Sequence, residues 1–163
     1  MTFPADLLAE AESLLTLARA QNVLIATAES CTGGLISALI TEIPGSSDVF
    51  ERGFVTYANQ AKIDLLAIGQ PLLDEFGAVS KEVAIAMAQG AVMHSGAHMS
   101  VAVTGIAGPG GGVLGKPVGT VHIASHYIGQ DTRHEQFHFV GERSSIRLGA
   151  TTAALKMLKV WFD

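Results

Sequence analysis

The sequence predicts an α/β fold: a mixed sheet with helices on both faces. Three observations lead there. Short apolar runs of strand length alternate with segments whose apolar residues recur at helical spacing. Beyond residue 117 the alternation gives way to two strand-like runs around a turn, which adds antiparallel pairing to a parallel sheet. No internal repeat or low-complexity linker divides the 163 residues, so 1–163 is expected to form one domain.

Each element has its own signal. Residues 3–20 read as an amphipathic helix with Pro4 in its first turn and Leu7, Ala11, Leu14, Leu15 and Ala18 on one face. Residues 23–28 form a short apolar run of buried-strand type. A helix is expected from Leu35 to about Glu42, stopped by Pro44 and Gly45. Phe50 to Tyr57 reads as a second strand. Asn59 is placed to cap a short helix holding Lys62, Leu65 and Leu66. Ser80 is placed to cap the next, with Val83, Met87, Ala91 and Met93 facing the core. Ser100 to Ile106 is the next strand. Val118–Tyr127 and His134–Val140 read as a hairpin around residues 129–132, and the last helix runs from about Ser144 to Phe162.

Composition excludes several function classes. Ten Lys and Arg against fifteen Asp and Glu give a net charge of −5, the wrong sign for a phosphate backbone, so no nucleic-acid partner is expected. Val83 to Gly115 carries no charged side chain, but Gln89, His94, Ser95, His98 and a glycine cluster break it before a membrane span accumulates. The N-terminus has no basic stretch and reaches Asp6 and Glu10 early, which argues against a secretory signal. With one cysteine, Cys31, a cytoplasmic location is expected. Only 15% of residues are charged, against about 25% in ordinary domains, so part of the surface is expected to be covered in a homo-oligomer, at least a dimer.

Four places carry candidate chemistry. Ser30 stands at a strand-to-helix junction, where open α/β sheets bind ligands. Backbone N–H groups of Cys31, Thr32, Gly33 and Gly34 are candidate donors to an oxyanion or an anionic group. The ordinary alternative is that Ser30 or Thr32 caps the helix; Cys31 is the rival nucleophile. Tyr57 and Lys62 form the second place. A serine needs a base, and a desolvated lysine can be one, although a solvated helix lysine is the simpler reading. The third is Thr104 to Gly112, with Gly105, Gly108 and Gly110 as candidate anion-cradling positions. Its matches to dinucleotide and P-loop patterns are rejected, because Pro117 to Val121 reads as a strand where those motifs need a helix. The fourth is Arg143 and Arg147 near the start of the last helix. There a bound anion would offset the unfavourable helix dipole, or Arg143 simply pairs with Glu142. The six histidines lack a carboxylate or cysteine to complete a metal set, so no metal is expected.

Together these segments resemble one family. Residues 27–34 (TAESCTGG), 53–57 (GFVTY) with Lys62, 77–80 (GAVS), 104–109 (TGIAGP) and 116–121 (KPVGTV) occur in the order found in the CinA C-terminal domain, the nicotinamide-nucleotide amidases. The resemblance covers about residues 5–160. It implies a three-layer α/β/α sandwich and hydrolysis of nicotinamide mononucleotide to nicotinic acid mononucleotide and ammonia, without a cofactor. It implies Ser30 as nucleophile, Lys62 as base and Tyr57 assisting, with substrate contacts from the Thr104 loop and the late arginines. Glu142 departs from the Asp common in the family, an exchange of one acid for another. Longer members carry an N-terminal pyrophosphatase domain, an activity not expected of these 163 residues. The alternative reading is a non-catalytic nucleotide-binding or competence-linked interaction protein using the same pocket.

Overall fold

The computed structural model describes residues 3–163. In chain order it contains α1 (Ala5–Ala20), β1 (Ile25–Glu29), α2 (Leu35–Thr41), β2 (Phe50–Val55), α3 (Asn59–Leu66), α4 (Gln70–Phe76), α5 (Lys81–Met93), β3 (Met99–Gly105), β4 (Thr120–Tyr127), β5 (Arg133–His138) and α6 (Arg143–Lys159). One sheet has the order β2-β1-β3-β4-β5. β1 runs parallel to β2 and β3, whereas β4 is antiparallel to both β3 and β5, so the sheet is mixed as expected.

The period-two alternation of the strands sorts the core into two unlike halves. Ile25, Met99, Val101, Val103, Val121 and Ile123 face α1, α2 and α6. On α1 the buried residues are Leu7, Ala11, Leu14, Leu15 and Ala18, the stripe read from the sequence. Truncating Leu14 there would cost about 2–5 kcal/mol. On the other face the strands present Ala26, Ala28, Ala102 and Ala124 to α3, α4 and α5. These short side chains let α5 lie close: Ser100 Oγ donates to the Ala88 carbonyl at 2.6 Å. Gly90 carries the same closeness outward, since a Cβ there would collide with the carbonyl of Leu66 at the end of α3.

Several expectations are corrected. Pro4 lies just outside α1, and its carbonyl accepts from the N–H of Leu7 and Leu8. Asn59 is not a cap but the first residue of α3; Ala58 holds the cap position with extended backbone. Ser80 does cap α5, accepting from the Val83 N–H. Met93, expected in the core, is 75% exposed, because it ends α5 on the side turned from the sheet. Helix α4 was not foreseen: it has seven residues, with Pro71 in its first turn. No helix among the described residues is long and apolar enough to cross a membrane.

Topology places the site. β1 lies between two parallel neighbours, so its carboxyl end meets those of β2 and β3 on one edge of the sheet. Ser30 follows β1, Thr56 and Tyr57 follow β2, and the glycine loop follows β3.

Candidate active site

Glu29, the last residue of β1, is fully buried and organises the turn behind it. Its carboxylate accepts from the N–H groups of Gly34 (3.0 Å), Ile36 (3.1 Å) and Ser37 (2.8 Å), and from Ser37 Oγ (2.7 Å). Negative charge is favoured at a helix N-terminus, where unpaired N–H groups point outward. An upstream carboxylate therefore caps α2, and neither Ser30 nor Thr32 does. Gly33 and Gly34 have φ of +58° and +96°, the left-handed backbone this turn requires.

Two of the four expected donors are engaged inside the protein. The Gly33 N–H donates to the Ser30 carbonyl at 3.0 Å, and that of Gly34 to Glu29. The Thr32 N–H has no acceptor among the described residues, and the Cys31 N–H meets there only its own thiol. The side chain of Thr32 is buried, and its hydroxyl lacks a partner among the described residues, as does that of Thr56.

Lys62 reaches Ser30 from α3. Its Nζ lies 3.2 Å from Ser30 Oγ, 2.8 Å from the Thr56 carbonyl and 3.4 Å from the Tyr57 carbonyl. The residue is 1% exposed. Burial lowers its pKa from the ordinary lysine value, against a smaller opposing influence of Cys31. A neutral amine has two N–H groups and one lone pair. Here two partners are carbonyls, which only accept, and the third is a hydroxyl, which can donate. The surroundings suit the amine as well as the ammonium. For Cys31, burial first of all pushes the thiol up to about 11, which leaves it protonated at neutral pH.

Tyr57 is 61% exposed, and its hydroxyl accepts from Arg143 Nη2 at 3.0 Å. Arg143 Nη1 donates to the Gly108 carbonyl at 2.7 Å, which joins the glycine loop to the end of β2. One turn further along α6, Arg147 donates through Nε to the Cys31 carbonyl (3.1 Å) and through Nη2 to the Thr32 carbonyl (2.7 Å). An arginine expected at the substrate is thus bound to the nucleophile's own loop.

The glycine loop divides. Thr104 is 1% exposed, and its hydroxyl donates to the Ala78 carbonyl at 2.7 Å, so its side chain braces the segment before α5. Gly105 belongs to strand pairing: a Cβ there would come within 2.7 Å of Val121. Gly108, with φ of +78°, supplies the carbonyl for Arg143, while Gly110 has open space around it. The loop continues through a turn at Val113–Lys116 into β4, with no helix, so the rejection of both nucleotide motifs holds.

The histidines stand apart. His122 Nδ1 and His134 Nε2 are 3.0 Å apart with their rings stacked, and His98 Nδ1 accepts from the Leu24 N–H. Among the described residues no three His, Cys, Asp or Glu side chains are grouped to hold a metal. Glu29 and the Thr56 carbonyl were not foreseen as parts of the site. For Glu29 a signal existed: a lone carboxylate closing an apolar strand just before a helix.

The CinA C-terminal domain model matches residues 8–161. Similar curated proteins include a CinA-like protein of Akkermansia muciniphila, 52% identical over 135 residues, covering 83% of this chain and 33% of that protein. A CinA-like protein of Geotalea daltonii is 54% identical over 136 residues, covering 83% and 32%. The chain spans about a third of the length of these relatives. Among solved structures, the competence/damage inducible protein CihA from Agrobacterium tumefaciens superposes with a TM-score of 0.96 at 46% identity, covering 98% of each chain. A competence-damaged protein (CinA) superfamily protein from Escherichia coli gives 0.90 at 34% identity, covering 97% of this chain and 92% of that one.

Proposed function

This chain belongs to the CinA C-terminal domain family, and from that membership and the Ser30 corner we propose that it is an amidohydrolase converting nicotinamide mononucleotide to nicotinic acid mononucleotide and ammonia. One observation carries the reading: a buried lysine amine lies within hydrogen-bond distance of a serine hydroxyl at the carboxyl edge of the sheet. A protein that only bound a nucleotide would have no use for that pair.

The reaction is acyl transfer in two steps. Lys62, as the neutral amine, takes the Ser30 proton while Oγ attacks the carboxamide carbon. The developing oxyanion accepts from the Cys31 and Thr32 N–H groups, an interaction worth about 3–4 kcal/mol per donor in comparable sites. Collapse breaks the C–N bond, and the proton held by Lys62 leaves with ammonia. Water then attacks the acyl-serine with Lys62 again as base, releasing the acid. Tyr57 assists through Arg143, which it holds beside the glycine loop, and Arg143 is the residue we assign to the substrate's phosphate. The chemistry needs no cofactor. The protein acts as a cytoplasmic homo-oligomer in pyridine-nucleotide salvage, with 1–163 as a single amidase domain.

Ammonia release from nicotinamide mononucleotide, with the Ser30→Ala protein as control, tests the proposal. Turnover that disappears in the variant is expected. A wild-type protein that binds nicotinic acid mononucleotide yet releases no ammonia would make it a binding protein instead.

A further inference from the structure

We propose that Arg147 is a positioning residue for the oxyanion site, aiming the Thr32 N–H by holding the carbonyl of the same peptide. In a planar trans peptide, C=O and N–H point in opposite directions. The peptides from Ser30 to Gly33 are trans, so each carbonyl's partner fixes the direction of the next N–H. The Cys31 carbonyl is drawn toward Arg147 Nε, and the Thr32 N–H therefore points away from the guanidinium. The Thr32 carbonyl is held by Nη2, which turns the Gly33 N–H the same way, and there it closes on the Ser30 carbonyl. That bond in turn fixes the Cys31 N–H on the far side of its own peptide.

Two donors from one planar fork thus orient consecutive peptides at the nucleophile. A guanidinium suits this because its N–H groups are rigid relative to one another. A donor to a carbonyl also polarises the peptide and strengthens its N–H as a donor. Gly33 is needed here for its backbone, with φ of +58°; a Cβ would meet Arg147 Nη2 only at an ordinary contact distance of 3.4 Å. Arg147 is half-buried with both bonds spent on the Ser30 loop, whereas Arg143 is exposed, so Arg143 is the better placed of the two to meet a phosphate.

The inference rests on the amide-hydrolase reading only for its choice of substrate. The test combines three readouts on the wild type, Arg147→Ala, Arg147→Lys and Arg143→Ala. The first is kcat and KM for nicotinamide mononucleotide and for its riboside. The second is the affinity for nicotinic acid mononucleotide with Ser30→Ala added to each protein. The third is the rate at which a fluorophosphonate labels Ser30, where Oγ displaces fluoride at phosphorus and the phosphoryl oxygen occupies the same donor site. Arg147→Ala is expected to lower kcat on both substrates by the same factor, roughly 30- to 300-fold, and to slow labelling at least about 10-fold. Affinity for the product should be unchanged. Arg147→Lys should fall between, and millimolar guanidinium should restore part of the Arg147→Ala rate. Should Arg147→Ala not fold, Arg147→Gln, which keeps one donor, is read in the same way.

Loss of product affinity as large as in Arg143→Ala, with collapse of the preference for the mononucleotide, would make Arg147 a phosphate ligand and overturn the proposal. Wild-type kcat and labelling in Arg147→Ala would overturn it too. A wild type that labels but releases no ammonia defeats the amidase reading alone, and the labelling rates then decide the role of Arg147. A wild type that does neither overturns both.

Discussion

Lys62 Nζ stands 3.2 Å from Ser30 Oγ while two backbone carbonyls, of Thr56 and Tyr57, take its remaining bonds. No carboxylate among the described residues shares the lysine. What keeps it near Ser30 is uncharged backbone, and what burial does to its protonation is opposed only by the smaller influence of Cys31.

Activity should accordingly rise with pH along an acid limb set by Lys62. The same burial makes a stability prediction. The folded-state pKa lies below the unfolded value of 10.5, so between the two the unfolded chain binds more protons and stability rises with pH. Below the folded pKa the cost of burying the ammonium is paid in full. Lys62→Met should abolish turnover yet raise stability by about 1 kcal/mol at pH 7, a gain that shrinks toward pH 10. Urea denaturation at the two pH values checks the sign, and a flat rate profile from pH 6 to 9 in the chemical step counts against the base assignment.

Ser30→Ala should remove turnover with the fold intact, while Cys31→Ala keeps most of it, because the thiol is held near 11. Steady-state rates and circular dichroism on both proteins decide it. The reverse pattern would move the nucleophile to Cys31.

Tyr57→Phe should be milder than Lys62→Ala and should appear mainly in KM, since the tyrosine hydroxyl bonds to Arg143. Arg143→Ala should narrow the preference for mononucleotide over riboside, expected at roughly 10- to 100-fold in kcat/KM from one charge-assisted contact. An unchanged preference would remove Arg143 from the phosphate site.

Glu29→Ala leaves three N–H groups and one hydroxyl without their acceptor. A loss of about 3 kcal/mol or more is expected in urea denaturation. Glu29→Gln should lose less, because its carbonyl oxygen still accepts. A Glu29→Ala protein as stable as the wild type would show that α2 needs no cap from this side chain.

Activity should survive exhaustive chelation. Loss restored by Zn²⁺ would direct attention to the stacked pair His122 and His134.

Sequence periodicity revealed nearly all the elements because most carry a strong apolar repeat. The stripe Leu7 to Ala18 could only be a helix face, and Val101 and Val103 only a buried strand. Helix α4 escaped because seven residues contain too few turns to show a period. At the site, Ser30, Lys62 and Tyr57 were legible as residue types in recognisable surroundings. The partners of Glu29 and Arg147 were not, because all but the Ser37 hydroxyl are backbone groups, and every residue has those. Arg147 meets carbonyls 115 and 116 positions away, a relation that no local pattern encodes.

The alanine face of the sheet has a consequence for anyone who would improve this protein. Filling out a core is an ordinary route to a hardier enzyme. Here Ala26, Ala28, Ala102 and Ala124 set how far α5 stands from the strands, and α3, which carries Lys62, leans on α5 through Gly90. The alanines work as a spacer whose thickness determines whether a lysine side chain reaches the end of β1. Thickening it is expected to move the base, and a displacement near 1 Å can cost about 100-fold in rate. On this face, core volume and catalytic distance are a single quantity, and neither can be tuned without the other.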